Sequence, residues 1–186
     1  MPPKAKITEA MVVEAAFRLV REHGAERLNA RTVAQALGCS TQPIMSHFPR
    51  FEALRQAVYR RADDYHTVYL MADGDLRNIG LRYIRFGAEE KQLFRLLFQT
   101  NGFAGKSLAD LTDDPNLSPL LATVATAAGC GAEEAWALFR TLLLFVHGYA
   151  SMLANNAMVY DAAEAAGDLM RVWHGAAEAA RKEENP

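Results

Sequence analysis

Residues 38–48 read GCSTQPIMSHF, and this stretch decides the fold of the N-terminal third of the chain. Gly38 ends one apolar helical pattern, and Ser40 is a natural N-cap for the next helix. Pro43 then lies in the first turn, where proline is tolerated because the early N–H groups have no helical partner. The stretch therefore predicts a short helix that begins just after residue 40.

The predicted short helix has one apolar and one polar face. Ile44 and Phe48 are four residues apart and point inward. The outward face carries Thr41, Gln42, Met45 and Ser46. A short helix with such a face is suited to contact a partner, although a solvated surface would show the same pattern.

The preceding helix, predicted over residues 30–37 after the N-cap Asn29, completes a helix-turn-helix. Ala34 is small enough for a close crossing, Gly38 makes the turn and Ile44 packs underneath. The second helix of such a pair places its first residues at base edges in the DNA major groove, and Gln42 has suitable donor and acceptor groups. The alternative is a three-helix packing element with a solvated face.

Apolar residues at three- and four-residue spacing predict further helices along the chain. Their expected ranges are 7–23, 51–71, 76–87, 89–100, 119–128, 132–155 and 161–182. No run has the two-residue period of a strand. The sequence thus predicts an all-α fold of about nine helices, with a helix-turn-helix domain over residues 1–50, a larger domain over residues 51–186 and residues 51–71 as the connecting helix.

Composition and charge are typical of a globular protein with one basic end. The chain has 186 residues, of which 51% are hydrophobic and 23% charged. Residues 1–62 contain ten Lys and Arg against five Glu, an excess of +5, so the remainder carries −7 to reach the net charge of −2. A basic third attached to an acidic body is expected when one end meets a polyanion.

Several other classes of protein are disfavoured. There is no secretory signal, and the most apolar run, residues 141–146, is too short to span a membrane, so a cytoplasmic location is expected. Cys39 and Cys130 form no disulfide framework. GFAGKS at 102–107 lacks the spacing of a phosphate-binding loop, and Asp63 and His66 are interpreted as a surface charge cluster. No catalytic motif is present, so neither an enzyme nor a cofactor or metal site is expected.

The segment ITEAMVVEAAFRLVREHGAERLNARTVAQALGCSTQPIMSHFPRFEAL resembles the DNA-binding domain of the TetR family of one-component repressors. The likeness lies in the AA-x-x-L-x-x-x-x-G spacing, the x-x-R-x-x-A-x-x-L-G second helix and the His-Phe that closes the third. It covers about a quarter of the chain. The all-α remainder is similar in length and class to the family's ligand-binding and dimer-forming domain.

The resemblance implies which residues contact double-stranded DNA. They are Arg31, Thr32, Ser40, Thr41, Gln42, Ser46, His47 and Arg50. Two residues depart from the family pattern: Met45 stands where a phosphate-contacting Tyr is usual, and Phe51 where a Lys is common. Arg50 is adjacent to Phe51 and is expected to supply the phosphate contact that a Lys would make.

The resemblance also implies an effector pocket among the central helices and a homodimer. The expected pocket walls are Phe86, Leu93, Phe94, Leu97, Phe103, Trp136, Phe139 and Leu143, which predict a small apolar or aromatic effector. The last two helices are expected to form a four-helix dimer interface. The small residues assigned to it are Gly148, Ala150, Ala154, Ala162, Ala163, Ala166 and Gly167.

His147 belongs to a narrower likeness. The His147-Gly148 pair in LFVHGYASML resembles a stretch of the TetR subgroup whose C-terminal domain is named after a Trp-His-Gly sequence, although Val146 replaces the Trp. His147 has two readings, a buried side chain hydrogen-bonded to a neighbouring helix or an effector contact.

Taken together, the residues and the resemblance predict a dimeric, ligand-responsive repressor that binds a palindromic operator. Two alternatives stay open. One is a DNA-binding regulator that senses no ligand. The other is a helical small-molecule-binding or enzymatic protein whose helix-turn-helix is incidental.

Overall fold

The computed structural model describes residues 6–100, 104–108, 110 and 117–184, with side chains as far as residue 181. The helices with bounds in these ranges are α1 (Glu9–His23), α2 (Ala30–Ala36), α3 (Gln42–His47), α4 (Phe51–Met71), α5 (Leu76–Glu89), α6 (Lys91–Phe98), α7 (Ser118–Ala128), α8 (Ala132–Asn155) and α9 (Ala162–Glu184). A 3₁₀ turn, Ala25–Arg27, joins α1 to α2. No strand occurs in the described ranges, and the predicted all-α class is confirmed.

Contacts divide the chain into two compact units. The first comprises Met1–Val68 and Glu90–Thr100, and the second comprises Tyr69–Glu89 and Asn101–Pro186. The chain crosses between them within α4, between Glu89 and Glu90, and between Thr100 and Asn101. These units describe packing, so the functional division at residues 50 and 51 stays a prediction.

The first unit is built on α1, whose apolar residues recur every four positions. Val12, Ala16 and Val20 are fully buried because they share one face of that helix. Thr8 caps α1 by accepting a hydrogen bond from the N–H of Met11 at 3.3 Å. Helix α6 packs against α1 and buries Leu93, Phe94 and Leu97.

Local sequence signals explain the start of α2. The side chain of Asn29 accepts hydrogen bonds from the N–H groups of Arg31 and Thr32, both at 3.0 Å. The hydroxyl of Thr32 accepts one from the N–H of Asn29 at 3.2 Å, which completes a capping box. The predicted N-cap at Asn29 is confirmed.

The predicted cap of α3 is wrong by one residue. Thr41, and not Ser40, holds the N-cap position, and its side chain makes no capping hydrogen bond. The start is set instead by Pro43, whose restricted φ and missing N–H suit the first turn of a helix.

The second unit is arranged around α8, which packs against α5, α7 and α9. Asp161 caps α9, as predicted, by accepting from the N–H groups of Ala163 at 2.8 Å and Glu164 at 3.0 Å. An 18-residue window of α8 has a mean hydropathy of 1.4, so this helix could cross a membrane by length and composition alone. The run at residues 141–146 is only part of this apolar helix, so its shortness does not argue against a span.

The predicted end of α5 at Gly87 is wrong, because the helix continues to Glu89. Gly87 is buried where α5 crosses α8. A Cβ at this position would lie 2.5 Å from the carbonyl oxygen of Ala150 and 2.8 Å from its Cα. This glycine is therefore required for close helix packing and does not act as a helix stop.

Candidate functional site

The helix-turn-helix has the geometry that its spacing predicts. Ala34 is 3% exposed and Ile44 is fully buried. Gly38 has a φ of +62°, in the left-handed region that favours glycine, and the N–H of Cys39 donates to the carbonyl of Ala34 at 3.0 Å. This turn holds α3 against α2 with its polar residues outward.

Most of the predicted DNA contacts lie on the surface of the first unit. The exposed ones are Arg31, Ser40, Thr41, Gln42, Ser46 and Arg50. They follow the start of α2, the turn and the outward face of α3. The structure therefore gathers them around one motif, and their contact with DNA stays a prediction.

Thr32 and His47 are also used inside the first unit. The hydroxyl of Thr32 lies 2.8 Å from the carbonyl of Arg27 and 2.9 Å from that of Asn29, so its proton is directed to the backbone. His47 Nε2 lies 3.0 Å from the carbonyl oxygen of Ile7. Because a carbonyl only accepts, this nitrogen carries the proton of a hydrogen bond.

The two departures from the family pattern have different environments. Met45 is 42% exposed on the outward face of α3, where it offers a thioether in place of a phenol hydroxyl. Phe51 is half-buried, and the guanidinium carbon of Arg55 lies 5.6 Å from its ring centroid. Arg55 lies one turn after Phe51 on α4. Its guanidinium therefore places positive charge near the position where the family usually has a Lys.

A network of three side chains in the first unit was not anticipated from the sequence. Glu90 is only 8% exposed, and Arg21 binds its carboxylate through two nitrogens, at 2.8 Å from Nε and 2.5 Å from Nη2. The hydroxyl of Tyr65 donates to the same carboxylate at 3.0 Å. The hydrogen bond to Glu90 raises the pKa of Arg21, so the buried acid is matched by a cation.

Glu90 occupies one of the three places where the chain passes between units. The preceding residue, Glu89, belongs to the second unit and accepts hydrogen bonds from Tyr69 at 2.7 Å and Arg85 at 2.6 Å. Tyr65 and Tyr69 are one turn apart on α4 and bind successive glutamates. At the α5–α6 junction, Glu89 is therefore held by side chains of the second unit, and Glu90 by side chains of the first.

The predicted effector residues are divided between the two units. Leu93, Phe94 and Leu97 lie in the first unit and are at most 1% exposed. Phe103 lies outside the described residues. The other five are in the second unit: Phe86, Trp136, Phe139, Leu143 and His147.

Four of these five form a stripe along α8. Trp136, Phe139, Leu143 and His147 follow one another at spacings of three or four, so they share a helix face. All four are half-buried, whereas Phe86 is fully buried. Phe139 also packs against the apolar cluster that includes Val124 and Leu138. The half-buried stripe is the part of the predicted set that remains open to a ligand.

His147 makes the hydrogen bond that its first reading requires. Its Nδ1 lies 2.9 Å from the hydroxyl oxygen of Tyr83 on α5. Burial lowers the pKa of His147 and raises that of Tyr83, so both groups are neutral near pH 7. No local pattern indicates Tyr83 as this partner, since 64 residues separate the two.

The interpretation of His66 as part of a surface cluster is wrong. The side chain is 8% exposed, and its ring centroid lies 5.2 Å from that of Phe98 in the first unit. Burial lowers its pKa to about 4, so it is neutral near pH 7. In the described part of the chain, no three His, Cys, Asp or Glu side chains group as metal ligands.

The small residues assigned to a dimer interface do not all reach the surface. Ala150 and Ala154 are at most 1% exposed, so they belong to the core of the second unit. Gly148 is exposed, and it lies between the exposed residues Leu144 and Met152 on one face of α8. Leu144 and Met152 are 53% and 52% exposed. This apolar stripe, residues 144, 148 and 152, is an apolar surface of α8 that its own unit leaves uncovered.

Comparison with known families tests the resemblance on the half of the chain where the sequence signal is weaker. A family model described as the tetracyclin repressor-like C-terminal domain matches residues 76–173, from the start of α5 into α9. No curated protein matches the chain. The narrower likeness to the Trp-His-Gly subgroup is not confirmed. The match covers more than half of the chain and agrees with the all-α fold, and the chain therefore belongs to the TetR family of regulators.

Proposed function

We propose that this protein is a dimeric transcriptional repressor that binds a palindromic DNA operator and is released by a small apolar or aromatic effector. The observation that carries the proposal is the exposed polar set around the helix-turn-helix in a TetR-family chain. Gln42 and Thr41 are exposed at the start of α3, the end that reads base edges in this motif. Arg31 and Arg50 are exposed nearby and suit phosphate contacts.

The proposed dimer explains why the operator should be palindromic. Two copies related by a two-fold axis present two α3 helices, which read half-sites about 34 Å apart in successive turns of the major groove. His47 Nε2 already makes a hydrogen bond to the backbone carbonyl of Ile7. The only ring nitrogen of His47 left to contact the DNA backbone directly is therefore Nδ1.

The first test is binding to the DNA upstream of the protein's own coding sequence. We expect tight binding in fluorescence anisotropy that a scrambled duplex does not displace. The affinity should fall steeply with salt, because contacts to phosphates release counterions. A protein that prefers neither duplex, or whose affinity is independent of salt, would contradict the proposal.

The proposed dimer face is tested by the variant Gly148→Glu. A Cβ at Gly148 meets nothing within 4 Å, and glutamate forms helix more readily than glycine, so the protomer should remain folded. Two copies packed through the apolar stripe would bury this charge, and we expect dissociation to the protomer mass of 20.5 kDa. Sedimentation velocity at fixed concentration measures it.

The control for this variant is Ala127→Glu, which adds the same charge at an exposed position of α7. It should leave the dimer intact. If both glutamate variants sediment as the unsubstituted protein does, the stripe on α8 is not the interface.

The effector is proposed to bind against the half-buried stripe of α8. Trp136 begins this stripe, so an aromatic effector should change its fluorescence. The variant Trp173→Phe removes the second tryptophan and isolates the signal. A compound that changes Trp136 emission should also weaken DNA binding in the anisotropy assay, because an effector that prefers the released state shifts the population towards it.

The effector proposal assigns α4 the role of connecting the two units. This helix has residues in both units, and the chain also crosses between Glu89 and Glu90 and between Thr100 and Asn101. A compound that binds at Trp136 and leaves the affinity for DNA unchanged would refute the proposed coupling.

A further inference from the structure

Arg140 lies beside the half-buried stripe of α8 and contacts its first aromatic ring. The guanidinium carbon of Arg140 is 4.7 Å from the centroid of the Trp136 ring, which is a cation–π distance. The two residues are four apart on α8, so they share one side of that helix. Arg140 is exposed, whereas Trp136 is half-buried. The stripe therefore has a solvent-accessible cation near its Trp136 end.

Among the described residues, no carboxylate pairs with Arg140. Four other arginines of the second unit have polar partners: Arg82 with Asp73, Arg85 with Glu89, Arg171 with Asp168 and Arg181 with the carbonyl of Ala128. The nearest acids on α8 are Glu133 and Glu134 in its first turn, about 10 Å from Arg140 along the helix axis. The described part of the second unit thus leaves the charge of Arg140 without an acidic partner.

The contact with Trp136 leaves Arg140 able to bind an anion. A guanidinium has five N–H donors, and the face of one indole cannot accept hydrogen bonds from all of them. The remaining donors form a fork that matches two oxygens of an anionic group. At the other end of the stripe, burial lowers the pKa of His147, so its ring is neutral near pH 7 and adds no positive charge. An anion bound along the stripe is therefore expected at the Arg140 end.

We propose that the effector is an aromatic anion, whose carboxylate or sulfonate group binds Arg140 while its apolar body lies along the half-buried stripe of α8. The inference rests on the proposed effector site and names the class of compound that fits it. Arg140 and His147 are seven residues apart, about 10 Å along the helix, and Leu143 between them is apolar. A compound with an anionic group at one end and an aromatic body of that length complements both features.

Two fluorescent probes that differ only in the anionic group test this class. Anilinonaphthalene sulfonate is an anion, and anilinonaphthalene has the same rings without the sulfonate. In the variant Trp173→Phe, Trp136 is the one tryptophan that remains, so energy transfer from tryptophan reports binding near it. We expect the sulfonate to bind about tenfold more tightly, because hydrogen bonds to charged groups are stronger than neutral ones. This preference should fall as salt is raised, since Arg140 is exposed.

Substitutions in the Trp173→Phe protein assign the preference to Arg140. Arg140→Met removes the charge and keeps an apolar side chain beside Trp136, so it should abolish the preference for the sulfonate and leave the affinity for the neutral probe unchanged. Arg140→Lys keeps the charge without the fork of donors and should retain part of the preference. The matched control Arg77→Met removes the same charge from an exposed position of α5 in the second unit and should retain all of it.

The outcomes separate the class of the effector from the effector site itself. If neither probe receives energy from Trp136, the stripe does not bind aromatic compounds, and the proposed site fails together with the inference. If the neutral probe binds as tightly as the sulfonate, or if Arg140→Met keeps the preference, the site stands and the anionic class is refuted. An equal loss in Arg140→Met and Arg77→Met would assign the preference to overall charge and refute it as well. Thermal unfolding shows whether each variant is folded, and the comparison of the two probes does not depend on the Arg140 variants.

Discussion

Replacing Gly87 by alanine is expected to destabilise the second unit by about 2 kcal/mol. The new Cβ would lie 2.7 Å from the Cβ of Ala150 and 2.5 Å from its carbonyl oxygen. Overpacking of this kind costs about 1–3 kcal/mol, and the upper part of that range applies because backbone atoms cannot rotate away. The better helix propensity of alanine offsets about 1 kcal/mol of that cost. Gly87→Val, which is larger and β-branched, should prevent the α5–α8 crossing.

The matched control is Gly80→Ala, seven residues earlier on α5. A Cβ there would lie 2.9 Å from Cδ2 of Leu169, the end of a side chain that can change rotamer. Thermal unfolding at one protein concentration compares the two variants, and each 1 kcal/mol lost should lower Tm by about 2–4 °C. If Gly87→Ala unfolds at or above the temperature of Gly80→Ala, the close approach of α5 and α8 is wrong.

Gly87 also shows where sequence patterns reach their limit. The apolar period predicted α5, but the period says nothing about which helix will cross it or how closely. A glycine near the end of a pattern fits a helix stop equally well. Only the position of Ala150, 63 residues away, distinguishes the two roles.

The Arg21–Glu90–Tyr65 network was missed for a related reason. Arg21 fits the last turn of α1, where a cation is expected, and Tyr65 fits the apolar face of α4. Glu90 falls within a range that the pattern assigned to a helix. The buried ion pair joins residues 69 positions apart, and no local rule links them.

The helix-turn-helix was predictable because its constraints are local. Ala34, Gly38 and Ile44 lie within eleven residues, and each is placed by a short-range requirement for close crossing, turn geometry or burial. The effector residues depend on long-range packing instead. Large apolar residues at helical spacing fit a core and a pocket alike. Of the nine predicted effector residues, three lie in the first unit, five in the second, and Phe103 lies outside the described residues.

The double variant Arg31→Ala/Gln42→Ala is expected to reduce specific DNA affinity by at least about a hundredfold. A glutamine that reads an adenine contributes about 1–3 kcal/mol of discrimination, and a dimer makes the contact twice. Both residues are exposed, and neither side chain makes a hydrogen bond within the described part of the chain. The fold should therefore be preserved, with stability within about 0.5 kcal/mol of the original.

The single variants separate the two kinds of contact. Gln42→Ala should relax the preference for the operator over a scrambled duplex and leave the salt slope nearly unchanged. Arg31→Ala should weaken binding to both duplexes and lower the slope by about 2, one phosphate for each protomer.

The control for the double variant is Arg60→Ala/Gln56→Ala. It removes the same two residue types from exposed positions of α4 in the same unit, so the change in charge is identical. If this control binds the operator as the unsubstituted protein does and the Arg31/Gln42 variant does not, the loss arises from the helix-turn-helix surface and not from reduced overall charge. If both variants bind normally, the exposed face of α3 does not read DNA. The apolar stripe of α8 and the half-buried face at Trp136 would then be the surfaces that carry the protein's function, because they do not depend on α3.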